Sequence, residues 1–432
     1  MGNTIFANRF TNGILDPNCE MLGPLKSGGR IVAHTAPGCW GPMITPRLCG
    51  GHEVTVPVFI EGAEVGDAVA LTIESIVLTS DATASGTDRA IDGRFTSDPF
   101  VAKKCPGCGT ESPETEVQGT GIDSILCRKC GRPVATFDMT NGYTMVFDRE
   151  RNMAVAVGEN AANRIAENAW DMMQLPENSV QNPVALLKRS DIKGVATRIR
   201  PFLGQLGTTP SIPFPDSHNA GDFGEFLVGA NHAYAKTREE LAHRTDGHMD
   251  INRVRQGATV ICPVKVIGAG VYLGDAHAMQ SEGEIAGHTC DVAAITVLRV
   301  DLIKNMKLDG PIILQVPEDV PFLAKPLTKE ESLRAKNLAN IYDTAEVEES
   351  LPVSFVGTGA NLNIAIDNGI SRASDFLGMS VDEVKNRITI SGGIDIGRAP
   401  GVVVVTLRVP LKVLPNGHFV EMLKAKYPLQ EV

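Results

Sequence analysis

A chain of 432 residues is too long for one simple hydrophobic core, and its length predicts two or three domains. Its hydrophobic content of 43% is that of an ordinary soluble protein, and no apolar run reaches the ~20 residues of a membrane helix. The net charge of -11 argues against nucleic acid or an anionic membrane as the main partner, because both favour clustered lysine and arginine. This charge is compatible with a neutral small molecule as the partner. Since the N-terminus lacks a signal-peptide pattern, we expect a cytoplasmic location.

Most elements predicted in the first two thirds of the chain are strands, because runs of β-branched residues alternate with glycine-rich turns. Strands are predicted over 55–60 and 68–76. The helical spacing of Ile165, Ala169 and Met172 predicts a short helix within 160–175. Residues 200–257 show little periodicity and predict long loops, which are often functional in compact proteins.

The last third of the chain mixes predicted strands and helices. A capping box at Thr328 and Glu331 predicts a helix that runs to about Tyr342, and Ser380 with Glu383 predicts a second helix. Strands are predicted at 258–267, just before this third, and at 293–300, 312–316 and 402–409 within it.

Two Cys-x-x-Cys knuckles, separated by eighteen residues, predict a tetrathiolate zinc site formed by Cys105, Cys108, Cys127 and Cys130. Four protein thiolates leave no open position for a substrate, so the zinc is expected to be structural and to hold together an insertion over 96–133. The nearby basic residues suggest a docking or nucleic-acid module as the alternative, although such residues usually form only a solvated surface.

Residues 274–284 contain the densest group of ligand-type side chains in the sequence: Asp275, His277, Gln280, Glu282 and Glu284. The β-branched residues within 259–271 predict a strand that leads into this segment. The segment is therefore predicted as a polar turn at the end of a strand, where a metal or a catalytic water is commonly held. The alternative is an acidic surface turn.

The segment from Gly274 to Glu284 resembles the Gly-Asp-Ala-His-Ala-x-Gln-x-Asp/Glu-Gly-Glu motif of the acetamidase/formamidase family of amide hydrolases. The tetrapeptide Gly247-His248-Met249-Asp250 is similar to the family's Gly-Asn-Met-Asp, with His248 in place of asparagine and Asp246 in place of the preceding glycine. Residues 58–67 resemble its Val-x-Gly-Ala-Glu-Pro-Gly-Asp turn, and residues 376–380 and 395–409 resemble its closing region.

The resemblance implies a β-rich mixed α/β fold, with a β-sandwich or barrel in the N-terminal part and an α+β C-terminal part. It also implies a homo-oligomer, either a dimer or a trimer, that hydrolyses a small amide such as formamide or acetamide to a carboxylate and ammonia. The chain is accordingly divided into an N-terminal β domain, the zinc insertion, a β-rich catalytic region and a C-terminal α+β region, at 1–95, 96–133, 134–310 and 311–432.

Asp250, Asp275 and His277 are predicted to form most of a mononuclear or dinuclear site for a second divalent metal, with zinc as the expected ion. Glu282 and Glu284 are the candidates for the general base. His248 is a further catalytic candidate, either as a ligand or as a hydrogen-bond partner of Asp250.

Two alternatives differ in chemistry from a metal-dependent amidase. Cys39 could act as the nucleophile of an amidase that needs no metal, although the sequence assigns it no base. The chain could also be a zinc-ribbon interaction protein without activity. His34 and His52 could approach the site from the N-terminal domain, but an ordinary hydrogen-bonded histidine is the simpler interpretation of each.

Overall fold

The computed structural model describes residues 2–92 and 104–428. The predicted zinc insertion begins at residue 96, which lies outside these ranges. The strands are β1 (Thr4–Ala7), β2 (Ile14–Leu15), β3 (Leu22–Leu25), β4 (Gly29–Thr35), β5 (Val58–Ile60), β6 (Ala68–Leu78), β7 (Ala82–Ala90), β8 (Thr115–Val117), β9 (Ile125–Cys127), β10 (Phe137–Phe147), β11 (Met153–Ala156), β12 (Ala196–Arg198), β13 (Phe202–Thr208), β14 (Phe214–Pro215), β15 (Thr259–Pro263), β16 (Val271–His277), β17 (Ala294–Ile303), β18 (Ile312–Leu314), β19 (Ser350–Thr358), β20 (Gly392–Arg398) and β21 (Val402–Pro410).

The α-helices are shorter in total, and the four longest of them lie in the C-terminal third. They are α1 (Gly41–Ile44), α2 (Glu159–Glu167), α3 (Ala169–Met173), α4 (Gly221–Leu227), α5 (Lys329–Ile341), α6 (Leu362–Leu377), α7 (Val381–Ser391) and α8 (Gly417–Lys426). Within the described ranges, none of these helices has the length and apolar character needed to cross a bilayer.

A nine-stranded sheet forms the frame of the molecule, in the order β1-β4-β17-β6-β15-β18-β19-β21-β20. Its neighbouring strands are antiparallel, apart from the parallel pair β1 and β4. Two four-stranded sheets, β12-β11-β10-β7 and β13-β16-β5-β3, complete the main architecture. The large sheet draws strands from three of the four predicted sequence regions, and the domain division itself stays a prediction.

Two hydrophobic cores stabilise this frame. One includes Leu71, Val260 and Leu273, all buried, and joins the large sheet to the sheet that contains β16. The other lies between β19, β21 and helices α6 to α8, where Val405 and Ile370 pack together. This strand-rich fold with an α+β C-terminal part confirms the predicted fold class.

Local signals predicted several elements correctly. The capping box is formed at α5, where Glu331 N donates to Thr328 Oγ1 at 3.2 Å and Thr328 N donates to Glu331 Oε2 at 2.8 Å. The helix predicted within 160–175 is two short helices, α2 and α3, that meet at Asn168.

The predicted loop region 200–257 contains a strand, so this part of the prediction was wrong. Strand β13 has the sequence Phe-Leu-Gly-Gln-Leu-Gly-Thr, and all seven of its residues are buried. Two glycines and the absence of polar alternation hide it from a pattern search. Its stability comes from antiparallel pairing with β16, which lies far away in the sequence.

Candidate active site

The two paired strands β13 and β16 bring the predicted site residues together. Asp275 and His277 lie within β16, so the first half of the predicted turn is in fact strand. Gly204 lies in β13, and a Cβ atom at this position would overlap the carboxylate oxygens of Asp250 and Asp275. Because a glycine stands here, three charged or polar side chains can occupy one small space beside the strand.

The loop that contains His248 and Asp250 is fixed to the same strand. Met249 N and Asp250 N both donate to Gly204 O, at 2.9 and 3.1 Å. His248 forms an isolated antiparallel bridge with Gln205. These backbone bonds bring a loop that lies some distance upstream in sequence against Asp275.

Three of the predicted site residues have a left-handed backbone, which non-glycine residues rarely adopt. Their φ angles are 48° at Asp250, 55° at Asp275 and 42° at Glu284. Each such residue costs on the order of 1–3 kcal/mol, and the cost is tolerated mainly where the surrounding structure imposes it, as at active sites. The strain therefore marks the same residues that the sequence motifs selected.

His277 lies at the centre of a buried cluster. Its Nε2 is 3.0 Å from Asp275 Oδ1, 3.4 Å from Asp291 Oδ1 and 3.5 Å from Cys39 Sγ. Cys39 Sγ in turn lies 3.4 Å from Glu284 Oε1. All five side chains are buried, so their interactions are little screened by water.

His248 and Arg398 form the other side of the cluster. His248 Nδ1 donates to Ser217 O at 2.7 Å, while Nε2 lies 2.8 Å from Asp250 Oδ2. A proton or another cation must therefore stabilise the close approach of Nε2 to this carboxylate. Arg398 Nη1 lies 2.6 Å from Asp250 Oδ2 and 3.5 Å from Glu284 Oε2.

The pKa shifts reflect an excess of negative charge in this cavity. Burial lowers the pKa of His248, but the charge of Asp250 outweighs it and raises the pKa to about 9. Burial, together with the charge of Asp250, raises the pKa of Glu284 to about 8, although Arg398 opposes the shift. Burial, followed by the charge of Asp291, raises the pKa of the Cys39 thiol well above its usual range. The cluster thus favours bound cations.

The donor atoms of the cluster fit a divalent metal ion. Several buried carboxylate oxygens have no well-formed hydrogen bond within the described residues, namely Asp250 Oδ1, both oxygens of Asp275, Asp291 Oδ1 and Glu284 Oε2. Buried, unsatisfied charged oxygens are strongly unfavourable unless a cation binds them. Carboxylate, imidazole and thiol groups in one cavity form a donor set that suits zinc.

The four knuckle cysteines also lie together, in a separate site. Cys105 Sγ is 3.4 Å from Cys130 Sγ, and Cys108 Sγ is 3.9 Å from Cys127 Sγ. Zinc–sulfur bonds of about 2.3 Å place tetrahedral sulfurs roughly 3.8 Å apart. The glycine after each second cysteine has a left-handed backbone, with φ of 68° at position 109 and 72° at position 131. These glycines permit the tight turn at each knuckle that the sequence predicted.

The sequence model of the acetamidase/formamidase family matches residues 41–416. The chain belongs to this family. The fold is similar to solved structures of a predicted acetamidase/formamidase from Thermoanaerobacter tengcongensis (14% identity, 99% of both chains, TM-score 0.54) and an acetamidase from Yersinia enterocolitica (17%, 94% of this chain and 92% of that one, 0.51). An acetamidase from Bacillus halodurans is similar too (14%, 97% and 99%, 0.51). No curated protein matches the sequence significantly.

In this acetamidase/formamidase family member, most of the predicted site residues meet in the cluster, but Glu282 does not. Its carboxylate is 44% exposed and lies 2.7 Å from Arg253 Nη1. Among the two uncertain histidines, His52 Nδ1 lies 3.6 Å from Asp275 Oδ2, whereas His34 Nε2 forms a hydrogen bond of 3.0 Å with Thr79 outside the cluster.

Sequence reasoning did not select two members of the cluster, Asp291 and Arg398. Asp291 is held at the site by an isolated antiparallel bridge between its backbone and that of His277. Arg398 lies at the end of the edge strand β20. Neither contact has a local sequence signal. Cys39 was predicted only as a possible nucleophile. The preceding residue, Gly38, is a signal that this segment lies against the cluster, because a Cβ atom at position 38 would overlap Asp275.

Proposed function

We propose that this protein hydrolyses a small aliphatic amide, of the formamide or acetamide kind, to a carboxylate and ammonia, with a divalent metal ion, zinc, in the buried cluster. Family membership supports amide hydrolysis. Several buried carboxylate oxygens around His277 lack a well-formed hydrogen bond among the described residues, and this supports the metal. Asp250, Asp275 and His277 are the proposed ligands, and the ion, when bound, would polarise the amide carbonyl and lower the pKa of water.

Glu284 is the proposed general base and acid. Its carboxylate is buried beside His277 and Cys39, and its pKa of about 8 lies near neutral pH, where proton transfer in both directions is efficient. It would take a proton from the water whose oxygen bonds to the carbonyl carbon. It would then give this proton to the amide nitrogen, so that the carbon–nitrogen bond breaks and ammonia leaves. Arg398 would hold Glu284 in place through its Oε2 atom.

The test is the Glu284→Gln variant, which keeps the size of the side chain and removes its basicity. We expect ammonia release from formamide or acetamide to fall by about 10²–10⁴-fold, the usual contribution of general acid–base catalysis. Metal content, measured by elemental analysis, should stay at the wild-type level. Glu282→Gln is the matched control and should keep nearly full turnover, because Glu282 is partly exposed and pairs with Arg253. Full activity of Glu284→Gln would refute the assignment of the base.

A covalent mechanism through Cys39 is the second candidate, favoured by the contacts of its sulfur with His277 Nε2 and Glu284 Oε1, at 3.5 and 3.4 Å. The raised pKa of this thiol opposes it, because the thiolate is the nucleophilic form. A metal-free preparation that keeps full turnover, and loses it after thiol alkylation, would favour the covalent mechanism over ours.

We also propose that the four knuckle thiolates hold a structural zinc ion. Their sulfur separations and the left-handed turns at Gly109 and Gly131 support this assignment. A zinc-ribbon interaction protein without enzymatic activity is the alternative. It would hold this zinc, contain no metal in the buried cluster and release no ammonia from either amide.

A homo-oligomer, dimer or trimer, is proposed as the working form. Helix α5 supports it, since no residue of this helix is buried in the single chain. The helix and its C-terminal cap expose large apolar side chains, namely Leu333, Leu338, Ile341 and Tyr342. Native mass spectrometry of the wild type should give a multiple of the 46.1 kDa chain mass, and Leu338→Lys should shift the distribution towards monomer.

A further inference from the structure

The two carboxylate oxygens of Asp275 face two different groups of ligand atoms. Oδ1 lies 3.0 Å from His277 Nε2. Oδ2 lies 3.6 Å from His52 Nδ1 and 3.9 Å from His248 Nε2. Both oxygens are buried and neither has a well-formed hydrogen bond within the described residues. A carboxylate in this arrangement can bind one cation through each oxygen and bridge the two.

The ligand group on the Oδ1 side has the dimensions of a tetrahedral metal site. It consists of Cys39 Sγ, Asp275 Oδ1, His277 Nε2 and Asp291 Oδ1, and its ligand atoms all lie within 4.8 Å of one another. The separations from His277 Nε2 are 3.0, 3.4 and 3.5 Å. Metal–ligand bonds of about 2.0–2.3 Å in a tetrahedron place the ligand atoms roughly 3.3–3.8 Å apart. A single zinc ion therefore fits among these four atoms with small movements.

The ligand group on the Oδ2 side contains two imidazoles. His52, His248 and Asp275 offer ligand atoms within 4.8 Å of one another. His248 Nδ1 donates to Ser217 O, which orients Nε2 towards the cluster in the way that a carbonyl usually orients a metal-binding histidine. His52 Nδ1 is buried and has no hydrogen bond within the described part of the chain. This side thus has the donor types of a second site.

The distribution of charge favours cations at these two positions. The cluster contains four buried carboxylates, those of Asp250, Asp275, Glu284 and Asp291. Arg398 contacts Asp250 and Glu284 and so compensates that end of the cavity. The carboxylate of Asp275 faces the imidazoles of His52, His248 and His277. That of Asp291 faces His277 and Cys39 and accepts a hydrogen bond from Trp40 N at 2.9 Å. None of these groups carries a fixed positive charge. The uncompensated charge is therefore concentrated where the two ligand groups meet.

We propose that the cavity holds two zinc ions bridged by Asp275, one bound by Cys39, His277 and Asp291 and the other by His52 and His248. This inference rests on the proposed function for the use of the site. It keeps Asp275 and His277 as ligands and adds four more, whereas Asp250 pairs with Arg398 instead of binding a metal. The thiolate makes the first position selective for zinc over magnesium, calcium or manganese, because those ions prefer oxygen ligands. Cys39 would then serve as a ligand, with its proton released on zinc binding, and not as a nucleophile.

Metal content and X-ray absorption of the wild-type zinc protein are the first test. Elemental analysis should give about three zinc ions per chain, one in the four-cysteine site and two in the cavity. The absorption spectrum should show zinc–zinc scattering at roughly 3.5–4 Å, the usual separation in two-metal sites. One cavity zinc per chain, or no zinc–zinc scattering in a protein with two, would overturn the bridged site.

Cobalt substitution tests the role of Cys39. In the Cys39→Ser variant, the thiolate-to-cobalt absorption of the Co²⁺ protein should fall by about one thiolate in five, because the four-cysteine site supplies the rest. Cys262→Ser is the matched control, since Cys262 is equally buried but lies in the hydrophobic core. An unchanged spectrum in Cys39→Ser would exclude Cys39 as a ligand, whether or not the variant is active.

Ammonia release, measured on the same preparations, separates this inference from the proposed function. Turnover by a protein with a single cavity zinc would refute the bridged pair and leave the amidase proposal standing. Two bridged zinc ions in a protein that releases no ammonia from formamide or acetamide would refute the amidase proposal and leave the bridged pair standing.

Discussion

The ion pair between Asp246 and Arg372 allows a quantitative test of how burial controls electrostatic stability. Arg372 Nη2 donates to Asp246 Oδ2, and Arg244 Nε donates to Asp246 Oδ1 at 2.7 Å. The side chain of Asp246 is fully buried, and that of Arg372 is 8% exposed. Burial raises the pKa of Asp246, but the two guanidinium groups outweigh it and hold the pKa below its usual range. Asp246 is therefore charged in the folded protein.

The same arginine has a second partner of opposite exposure, which provides the control. Arg372 Nε lies 3.1 Å from Asp309 Oδ2, and the Asp309 side chain is 70% exposed. Removing one partner of a buried ion pair costs about 3–5 kcal/mol, whereas an exposed pair contributes about 0–1 kcal/mol. We therefore expect Asp246→Asn to lower the free energy of unfolding by about 3 kcal/mol and Asp309→Asn by less than about 1 kcal/mol.

Urea unfolding, followed by circular dichroism, measures both effects. The midpoint should shift strongly for Asp246→Asn and little for Asp309→Asn, with similar slopes for the two variants. In a double-mutant cycle, Asp246→Asn combined with Arg372→Met should cost less than the sum of the single changes, because the Asp246–Arg372 interaction is lost in each single variant and is counted only once in the double variant. Equal losses in the free energy of unfolding for the two asparagine variants would refute the argument that burial decides how much an ion pair contributes to stability.

Three further changes test the cavity, the pH dependence and the zinc module. Gly204→Ala should lower amide turnover by about 100-fold and reduce metal content, because the new methyl group overlaps two carboxylates. Gly417→Ala is the control: its methyl group meets no atom within 4 Å, so turnover and metal content should stay at the wild-type level. Burial raises the pKa of Asp319, but the hydrogen bond from Arg255 and the charge of Arg200 outweigh it and leave the pKa lowered. Because this pKa is lower in the folded protein, the charged Asp319 carboxylate stabilises the fold at pH values above its unfolded-state pKa. The stabilisation is lost as the pH falls through the folded-state pKa. Urea unfolding of Asp319→Asn should thus show a loss of stability at neutral pH that shrinks below about pH 4. Cys127→Ser should bind about one zinc ion fewer per chain by elemental analysis and be cleaved faster by proteases within 104–133.

The features predicted from sequence are those with a local physical cause. The capping box of α5 depends on Thr328 and Glu331 alone, and each cysteine knuckle depends on a tight turn with a following glycine. Strand β13 has no such cause. Its residues become a strand because β16 provides hydrogen-bond partners from about seventy residues further along, a distance that a short sequence window does not cover.

The same distinction applies to the buried cluster around His277. Asp250, Asp275 and His277 were found because they lie in motifs that resemble those of the family. Asp291 and Arg398 were missed because their proximity to the others is a product of backbone pairing between distant segments. Glu282 is the opposite case: it is a ligand-type residue inside the motif, but its side chain lies outside the cluster and pairs with Arg253.

The two clusters of ligand atoms differ in the length of chain that each one needs. The four knuckle cysteines lie within one short stretch, from Cys105 to Cys130, whereas the buried cavity combines side chains from Cys39 to Arg398. All four thiol groups of the first site are therefore available as soon as Cys130 has left the ribosomal exit tunnel. The cavity is complete only when β20, which carries Arg398, has been synthesised and has paired with β21. Under the proposed assignments, zinc can bind the knuckle cysteines during translation, whereas Arg398 closes the cavity only after β20 and β21 have been synthesised.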